Sequence, residues 1–349
     1  MKSLANCCCA LVLALLAAAS SAQDRSAANG EIYLYQGADR AERLLARAKK
    51  EGTLVLYSTM TLEDATPLLG AFEQKYGIKV KMWRAVNQKL VQRALAEARA
   101  GQLAADAFEG SGPGLEILHQ EGLLEQFYSP AFADIPQEAF PHHRYYAPDN
   151  LLFTVMGYNT KLVKPDEVPA SYQDLLAPKW RGKIGIESSN VAWFAAVAKA
   201  MGEEKGLAYF RSLAANGPQI RSGHTLLTEL VAAGELPIAL TVYNQAVDKL
   251  KDKGAPIDWK ALQPAFGRAD GIAMAKSAQH PHAALLFADF VLSPDGQRYI
   301  KQASRVPVNR RVDSSFDKHI FRIIDLAALL KEWDQWESRW QALFLRERR

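Results

Sequence analysis

Cysteine is almost absent from this chain. Its three cysteines all lie within the first nine residues, as Cys7, Cys8 and Cys9. Beyond them the sequence offers no thiol for a disulfide, a Cys-ligated zinc site, an iron–sulfur cluster or a nucleophilic cysteine. Stability must therefore come from hydrophobic burial, and 349 residues are enough for two domains of ordinary size.

A strong charge bias is also lacking. Lys and Arg number 42 against 38 Asp and Glu, a formal net charge of +4, and the two signs are interspersed. A nucleic-acid-binding protein needs a concentrated basic face, so this balance argues against one. No nucleophile elbow, metal-hydrolase helix or phosphate-binding loop is visible. The sequence therefore predicts neither an enzyme nor a bound cofactor.

The chain has no apolar run long enough to span a membrane. Lys2 precedes the apolar stretch 10–19, which is well short of the roughly 20 residues that a spanning helix needs. Ser20-Ser21-Ala22 follows with the small residues that signal peptidase cleaves after. We predict a cleaved signal peptide over residues 1–22 and a periplasmic mature protein.

Strand and helix patterns alternate through the rest of the chain, which predicts an α/β sheet. Apolar runs rich in branched residues at 53–57 and 78–83 are typical of buried parallel strands, and 105–108 adds a third. A second such unit runs from a strand at 183–187 to another at 237–242.

Two further apolar segments, 151–158 and 265–274, predict strands that cross between the two units. We therefore expect two lobes joined by two crossover strands, with a small-molecule site in the crevice between them. Lobe 1 is predicted over 53–152 and 270–312, and lobe 2 over 153–269. Residues 23–52 form an amino-terminal extension and helix, and 313–349 form helices that pack on one lobe. A membrane-surface or partner helix is the alternative reading of the last segment.

A set of short motifs in a fixed order indicates a family resemblance. A His-Pro-x-Ala-Ala helix beginning at His280 runs into Leu-Ser-Pro-Asp-Gly-Gln at 292–297, and the matching segments upstream are 76–80, 157–160, 180–184 and 234–239. Together they resemble periplasmic solute-binding proteins of ABC importers, in the branch that includes ferric-iron-binding proteins. The resemblance implies the two-lobed type II binding fold, with two crossover strands and ligand in the inter-lobe cleft. It also implies a monomer that delivers its solute to an inner-membrane permease.

Ligands of open α/β sheets collect beyond the carboxyl ends of the strands, where loops lead into helix amino termini. Four such loops are rich in hydroxyl and amide groups, at 57–59, 109–112, 187–190 and 221–225. Helix amino termini and a fork-shaped guanidinium suit an anion, so we predict a small anionic solute anchored by Arg221 with Ser188, Ser189 and Ser222. The full predicted ligand-binding set is Ser58, Thr59, Arg84, Ser111, Ser188, Ser189, Asn190, Arg221, Ser222, His224 and Tyr243.

The ferric branch uses an adjacent tyrosine pair, and the resemblance places that pair at 245 and 246. Gln245 and Ala246 occupy these positions, while the branch's histidine and glutamate ligands fall near Thr61 and Ser111. We therefore expect no metal in the site. Ferric capture through Tyr243 and a bound anion is kept as an alternative, as are a ligand sensor and an enzyme on the same scaffold.

Histidines elsewhere are interpreted as structural. His142 and His143 lie with Tyr145 and Tyr146 between two prolines, which favours a surface loop over a metal site. His280 and His282 flank Pro281 at a helix start.

The leader gives the first testable prediction. Amino-terminal sequencing of the protein recovered from the periplasm is expected to begin at or near Gln23. Mature protein that retains Met1 would contradict the cleaved signal peptide.

Overall fold

The computed structural model describes residues 27–313 and 321–345, and the predicted signal peptide lies outside them. Residues 27–34 are helical. The helices that follow are α1 Arg40–Glu51, α2 Leu62–Tyr76, α3 Asn87–Arg99, α4 Gly112–Gln120, α5 Val191–Ala200, α6 Glu203–Ala215, α7 His224–Ala233, α8 Asn244–Asp252, α9 Pro281–Leu292, α10 Pro294–Gln302, α11 Leu326–Leu330 and α12 Trp333–Trp340. Over the described ranges, no helix is both long and apolar enough to cross a membrane.

The strands are β1 Thr53–Ser58, β2 Lys79–Arg84, β3 Ala107–Ser111, β4 Leu124–Glu125, β5 Ala147–Asn159, β6 Ile184–Glu187, β7 Gln219–Arg221, β8 Ile238–Tyr243, β9 Ile257–Lys260, β10 Ala265–Ala275, β11 Val306–Pro307 and β12 Phe321–Ile323. Short 3-10 segments occur at Pro130–Asp134, Gln137–Ala139, Pro165–Glu167, Gln173–Leu176 and Pro178–Trp180, and a π-helical turn at Gln341–Leu345.

The chain folds into two compact units. Of the described residues, unit 1 contains 27–149, Asp270–Ile300 and Val308–Val312, and unit 2 contains the others. The chain passes from unit 1 to unit 2 within β5 and returns within β10, so the two predicted crossing segments are single continuous strands. The predicted lobe boundary at 152/153 differs by three residues from the observed division at 149/150. Residues 301–307, which the sequence placed in lobe 1, belong to unit 2.

Unit 1 is built on a sheet with the strand order β2-β1-β3-β10. Strands β1, β2 and β3 are parallel, and β10 runs antiparallel to β3. Strand β2 lies at the edge and exposes Lys79 and Lys81. The helices cover the sheet with aromatic side chains: Phe72 of α2 packs edge-on against Phe287 of α9, with ring centroids 5.1 Å apart.

Unit 2 is built on a sheet with the order β5-β8-β6-β7. Strands β6, β7 and β8 are parallel, whereas β5 is antiparallel to β8. Helices α5 and α6 pack closely because Gly206 has no side chain: a Cβ there would lie 2.5 Å from the carbonyl oxygen of Ala198. The carboxyl ends of the three parallel strands meet at one edge of the sheet, which is the edge predicted to bind ligand.

The carboxyl-terminal segment packs on unit 2. The indoles of Trp336 and Trp340 are 0% and 1% exposed and contact Phe194 of α5, with ring centroids 5.6 and 5.5 Å apart. Burial of such aromatic side chains contributes about 2–3 kcal/mol each. The expectation that residues 313–349 are purely helical is wrong for residues 321–323, because β12 pairs with β10 and Phe321 stacks on Phe153 at 4.1 Å.

In unit 1 a buried carboxylate fastens the loop before α9 to the sheet. Asp106 is 0% exposed and accepts hydrogen bonds from the backbone N–H groups of Val55, Gln279 and His280, at 2.8–2.9 Å. The Nδ1 atom of His280 lies 2.8 Å from the same carboxylate. His282 is tied to Glu51 at 2.7 Å in the same manner. Both histidines therefore make structural bonds to residues that are distant in sequence.

This arrangement predicts a large effect of one isosteric change. In Asp106→Asn the amide NH₂ faces buried N–H donors, so we expect a loss of about 2–3 kcal/mol in the free energy of unfolding. Urea denaturation followed by circular dichroism measures it, with Asp166→Asn, an exposed position, as the matched control. Equal stability of the two variants would contradict the role given to Asp106.

Candidate functional site

The candidate site of unit 2 lies at the carboxyl ends of β6, β7 and β8. Glu187 ends β6 and aligns with Arg221, which ends β7. The Glu187 N–H donates to the Thr241 hydroxyl of β8 at 2.8 Å, which fixes β8 beside them. Helices α5, α7 and α8 begin just beyond these strands. Three helix amino termini and their loops are thus brought together.

The carboxylate of Glu187 occupies the centre of this edge. It is 3% exposed and accepts hydrogen bonds from the Ser189 N–H and hydroxyl, both at 2.7 Å, and from the Asn190 amide at 3.0 Å. Its other oxygen accepts from the Gly223 N–H at 3.1 Å and the Ser188 hydroxyl at 3.3 Å. The donors that the sequence assigned to a bound anion are turned toward an anion of the protein itself.

His224 completes the surroundings of that carboxylate. Its Nδ1–H donates to the Thr241 carbonyl at 3.0 Å, since a carbonyl only accepts, and its Nε2 lies 3.6 Å from Glu187. Burial opposes ionisation of Glu187, but His224 and the hydrogen bonds from Ser189 and Gly223 outweigh it, so the pKa of Glu187 lies below its ordinary value. Glu187 is therefore a fixed negative charge at neutral pH.

A second group of side chains lies at the end of β8. The Tyr243 ring stacks on His224 with centroids 4.2 Å apart, and the Arg268 guanidinium lies over the same ring at 5.5 Å. Arg268 is half-buried, with Nε fully enclosed. Of the described residues, none bonds to the buried Oε1 of Gln245. The end of β8 thus offers the positive charge of Arg268 and the rings of Tyr243 and His224. The Gln245 side chain next to it can still accept a hydrogen bond.

Arg221 and Ser222, predicted as part of the anion anchor, are exposed. The Arg221 guanidinium folds back along its own strand and donates to the Gln219 side chain at 2.7 Å and to the Ile220 carbonyl at 3.0 Å. The structure thus brings His224 and Tyr243 together with Arg268, and it holds Arg221 against β7.

Unit 1 repeats the buried carboxylate. Glu109 of β3 is 2% exposed, and its Oε2 accepts from the Ser58 hydroxyl at 2.5 Å. The N–H groups of Thr59 and Met60 donate to the same oxygen at 3.1 and 3.2 Å. Ser58 and Thr59, both predicted to touch ligand, therefore serve first to hold an internal carboxylate.

The other predicted residues of unit 1 lie near this carboxylate or at the sheet edge. Ser111 ends β3 and directly precedes α4. No hydrogen bond within the described ranges reaches its buried hydroxyl or the Oδ1 of Asn87. Arg84 is exposed at the end of β2. The neighbouring Trp83 carries the guanidinium of Arg93 over its ring, at 4.3 Å.

Sequence reasoning missed Glu109, Glu187 and Arg268 as site residues. Glu109 and Glu187 begin two of the four predicted loops. A carboxylate directly before Gly-Ser or Ser-Ser could have been recognised as an acceptor for the hydrogen-bond donors of its loop. Arg268 lies within a predicted crossing strand. Its charge in an otherwise largely apolar segment was the signal that could have marked it as a site residue.

The pKa of Glu187 gives a pH prediction. A carboxyl whose folded-state pKa is lowered contributes stability above its unfolded pKa of about 4.3, and this contribution is lost as pH falls through the folded value. We therefore expect Glu187→Gln to be less stable than wild type at pH 7 and the difference to shrink below about pH 4. Urea denaturation at both pH values measures it, with exposed Glu235→Gln as control. A difference that does not change with pH would contradict the assignment.

Comparisons with known proteins place this geometry in a family. The family model of bacterial extracellular solute-binding proteins matches residues 68–319. Iron uptake protein A1 of Synechocystis is 26% identical over 292 residues, with 74% of this chain and 78% of that protein covered.

Two solved structures give the fold. Iron-bound HitA of Pseudomonas aeruginosa is 25% identical with a TM-score of 0.71, covering 84% of this chain and 99% of that one. AfuA of Actinobacillus pleuropneumoniae, with fructose-6-phosphate bound, is 22% identical with a TM-score of 0.71 over 84% and 99%. The predicted α/β periplasmic binding fold is confirmed. Members of this family bind solutes for ABC importers. The chain belongs to the bacterial extracellular solute-binding proteins.

Proposed function

We propose that this protein is the periplasmic binding component of an ABC importer for a small organic anion, contacted in unit 2 by Arg268, His224 and Tyr243. The observation that carries the proposal is the half-buried Arg268 guanidinium over the Tyr243 ring at the end of β8. A guanidinium with part of its hydration removed offers paired N–H groups to a carboxylate or phosphate.

Glu187 supports this assignment because its carboxylate uses the loop N–H groups. Because its carboxylate accepts the Ser189 and Gly223 N–H groups, those helix ends are not open to a bound anion. The positive charge that attracts the solute must then come from a side chain. The Arg268 guanidinium lies over the Tyr243 ring at the end of β8. The exposed Arg221 guanidinium instead lies along β7.

The role is binding without catalysis. Family members are binding proteins, and the hydroxyl of Ser189 donates to Glu187 rather than to a histidine. We propose that the mature protein acts as a monomer in the periplasm and presents its solute to a membrane permease.

Ferric ion is the second candidate, because the Synechocystis and Pseudomonas proteins are named for iron. Gln245 and Ala246 offer no phenolate, and Tyr243 is the tyrosine of this loop. A ferric citrate titration that produces a coloured complex, lost in Tyr243→Phe, would establish this candidate in place of the organic anion.

Identification of the solute comes first. Native mass spectrometry of the protein as purified, followed by a thermal-shift screen of small carboxylates and phosphorylated sugars, is expected to give at least one anion that raises the melting temperature. A screen in which only neutral or cationic solutes act would overturn the anionic assignment.

Calorimetry with the anion found then tests the site. Loss of a charge-assisted hydrogen bond is worth at least about 1.4 kcal/mol, so Arg268→Ala is expected to weaken binding about tenfold or more. Exposed Arg211→Ala, also in unit 2, is the control and is expected to bind as wild type does. Unchanged affinity in Arg268→Ala with a loss in Arg221→Ala would return the anchor to the residue predicted from sequence.

A further inference from the structure

We propose that Glu116, His119 and His143 form a binding site for a divalent transition metal ion in unit 1, separate from the solute-binding loops. The site is built by helix α4 and the segment that leads into β5. Each residue offers one ligand atom, and these atoms all lie within 4.8 Å of one another.

The helix fixes two of the three ligands. Glu116 and His119 are three residues apart on α4, and residues at this spacing lie on the same face of a helix. Glu116 is 2% exposed, so its carboxylate is held among neighbours instead of moving in solvent. A buried carboxylate requires a compensating partner of positive charge or a hydrogen-bond donor.

His143 is positioned from the other side. The Tyr145 N–H donates to its Nδ1 at 3.1 Å, which leaves the proton on Nε2, and that atom lies 2.8 Å from Glu116 Oε2. The Gln126 amide holds the same loop through the His143 carbonyl, at 2.8 Å. A metal ion would replace one proton, on a nitrogen already directed at the carboxylate.

His119 is the residue of the cluster whose ring nitrogens are not used by other contacts of the described residues. Its ring stacks on Tyr145 and packs against the tilted ring of His143, with centroids 4.2 and 3.9 Å away, yet neither of its ring nitrogens has a hydrogen bond to any described residue. A histidine kept only for stacking does not require nitrogens.

The donor set selects the class of ion. Two imidazoles and one carboxylate suit Zn²⁺, Co²⁺, Ni²⁺ or Cu²⁺ rather than Mg²⁺ or Ca²⁺, which prefer oxygen ligands. Tetrahedral ligands at about 2.1 Å from zinc are about 3.4 Å apart. Glu116 and His143, now 2.8 Å apart, would therefore separate slightly, and His119 would move toward them. Three protein ligands leave the fourth position to water. Bound metal would join the loop before β5 to α4.

The sequence interpretation assigned His142 and His143 to a surface loop without metal. The structure separates the two: His142 is exposed, whereas His143 turns inward. His142 is therefore the matched control for a metal-binding test, since it is an adjacent histidine outside the cluster.

The test is calorimetry with zinc chloride on the tag-free mature protein after chelator treatment. We expect one equivalent to bind, His119→Ala to weaken binding at least about tenfold, and His142→Ala to bind as wild type does. Because no hydrogen bond to His119 is lost, His119→Ala is expected to fold, and circular dichroism checks it.

Cobalt gives an independent readout. Co²⁺ in a site with two imidazoles and a carboxylate is expected to produce visible absorption bands that vanish in His119→Ala and persist in His142→Ala. Absence of zinc binding in the wild type would overturn the proposal. So would binding that is equally strong in His119→Ala, because the metal would then lie elsewhere.

Discussion

The buried carboxylate of Glu187 is the interaction on which the strand-end loops of unit 2 depend. Two loops from different parts of the chain end at it, and each contributes donors: Ser189 and Asn190 after β6, and Gly223 after β7. Without an acceptor, these N–H groups would be left at helix amino termini with no intrahelical partner. The negative charge also complements the positive ends of α5 and α7. One side chain therefore fixes the positions of both loops.

In unit 1, Glu109 likewise accepts hydrogen bonds from a strand-end loop. Asp106, directly before β3, accepts them from the loop before α9. A carboxylate is suited to this task because it accepts several hydrogen bonds at once. The consequence for binding is electrostatic. Because internal carboxylates accept the loop N–H groups, we propose that the charge that selects a solute comes from side chains such as Arg268. A site of this kind differs from one in which helix ends hold an anion directly.

The cluster of Glu116, His119 and His143 lies on the same scaffold but follows different chemistry. Its ligands are paired across a helix and a loop, whereas the loops at the strand ends present hydroxyls, amides and a guanidinium. Missing thiols and the missing tyrosine pair had suggested a protein without metal. Histidine and carboxylate side chains are nonetheless sufficient for a transition metal when the fold brings them within reach.

The amino-acid sequence by itself determined the order of elements and the family. The runs at 53–57 and 184–187 became buried strands, and Thr61 caps α2 by accepting the Asp64 N–H at 3.2 Å, because strand period and cap chemistry are local properties. Where the loop donors point was decided by the surroundings of Glu187. Ser188, Ser189 and Asn190 bond to it locally, whereas Thr241 of β8 and Gly223 before α7 reach it only because the sheet is assembled. Arg268 meets Tyr243, and His143 meets Glu116, across 25 and 27 residues of chain. Such contacts follow from how the sheets are assembled, and no local pattern encodes them.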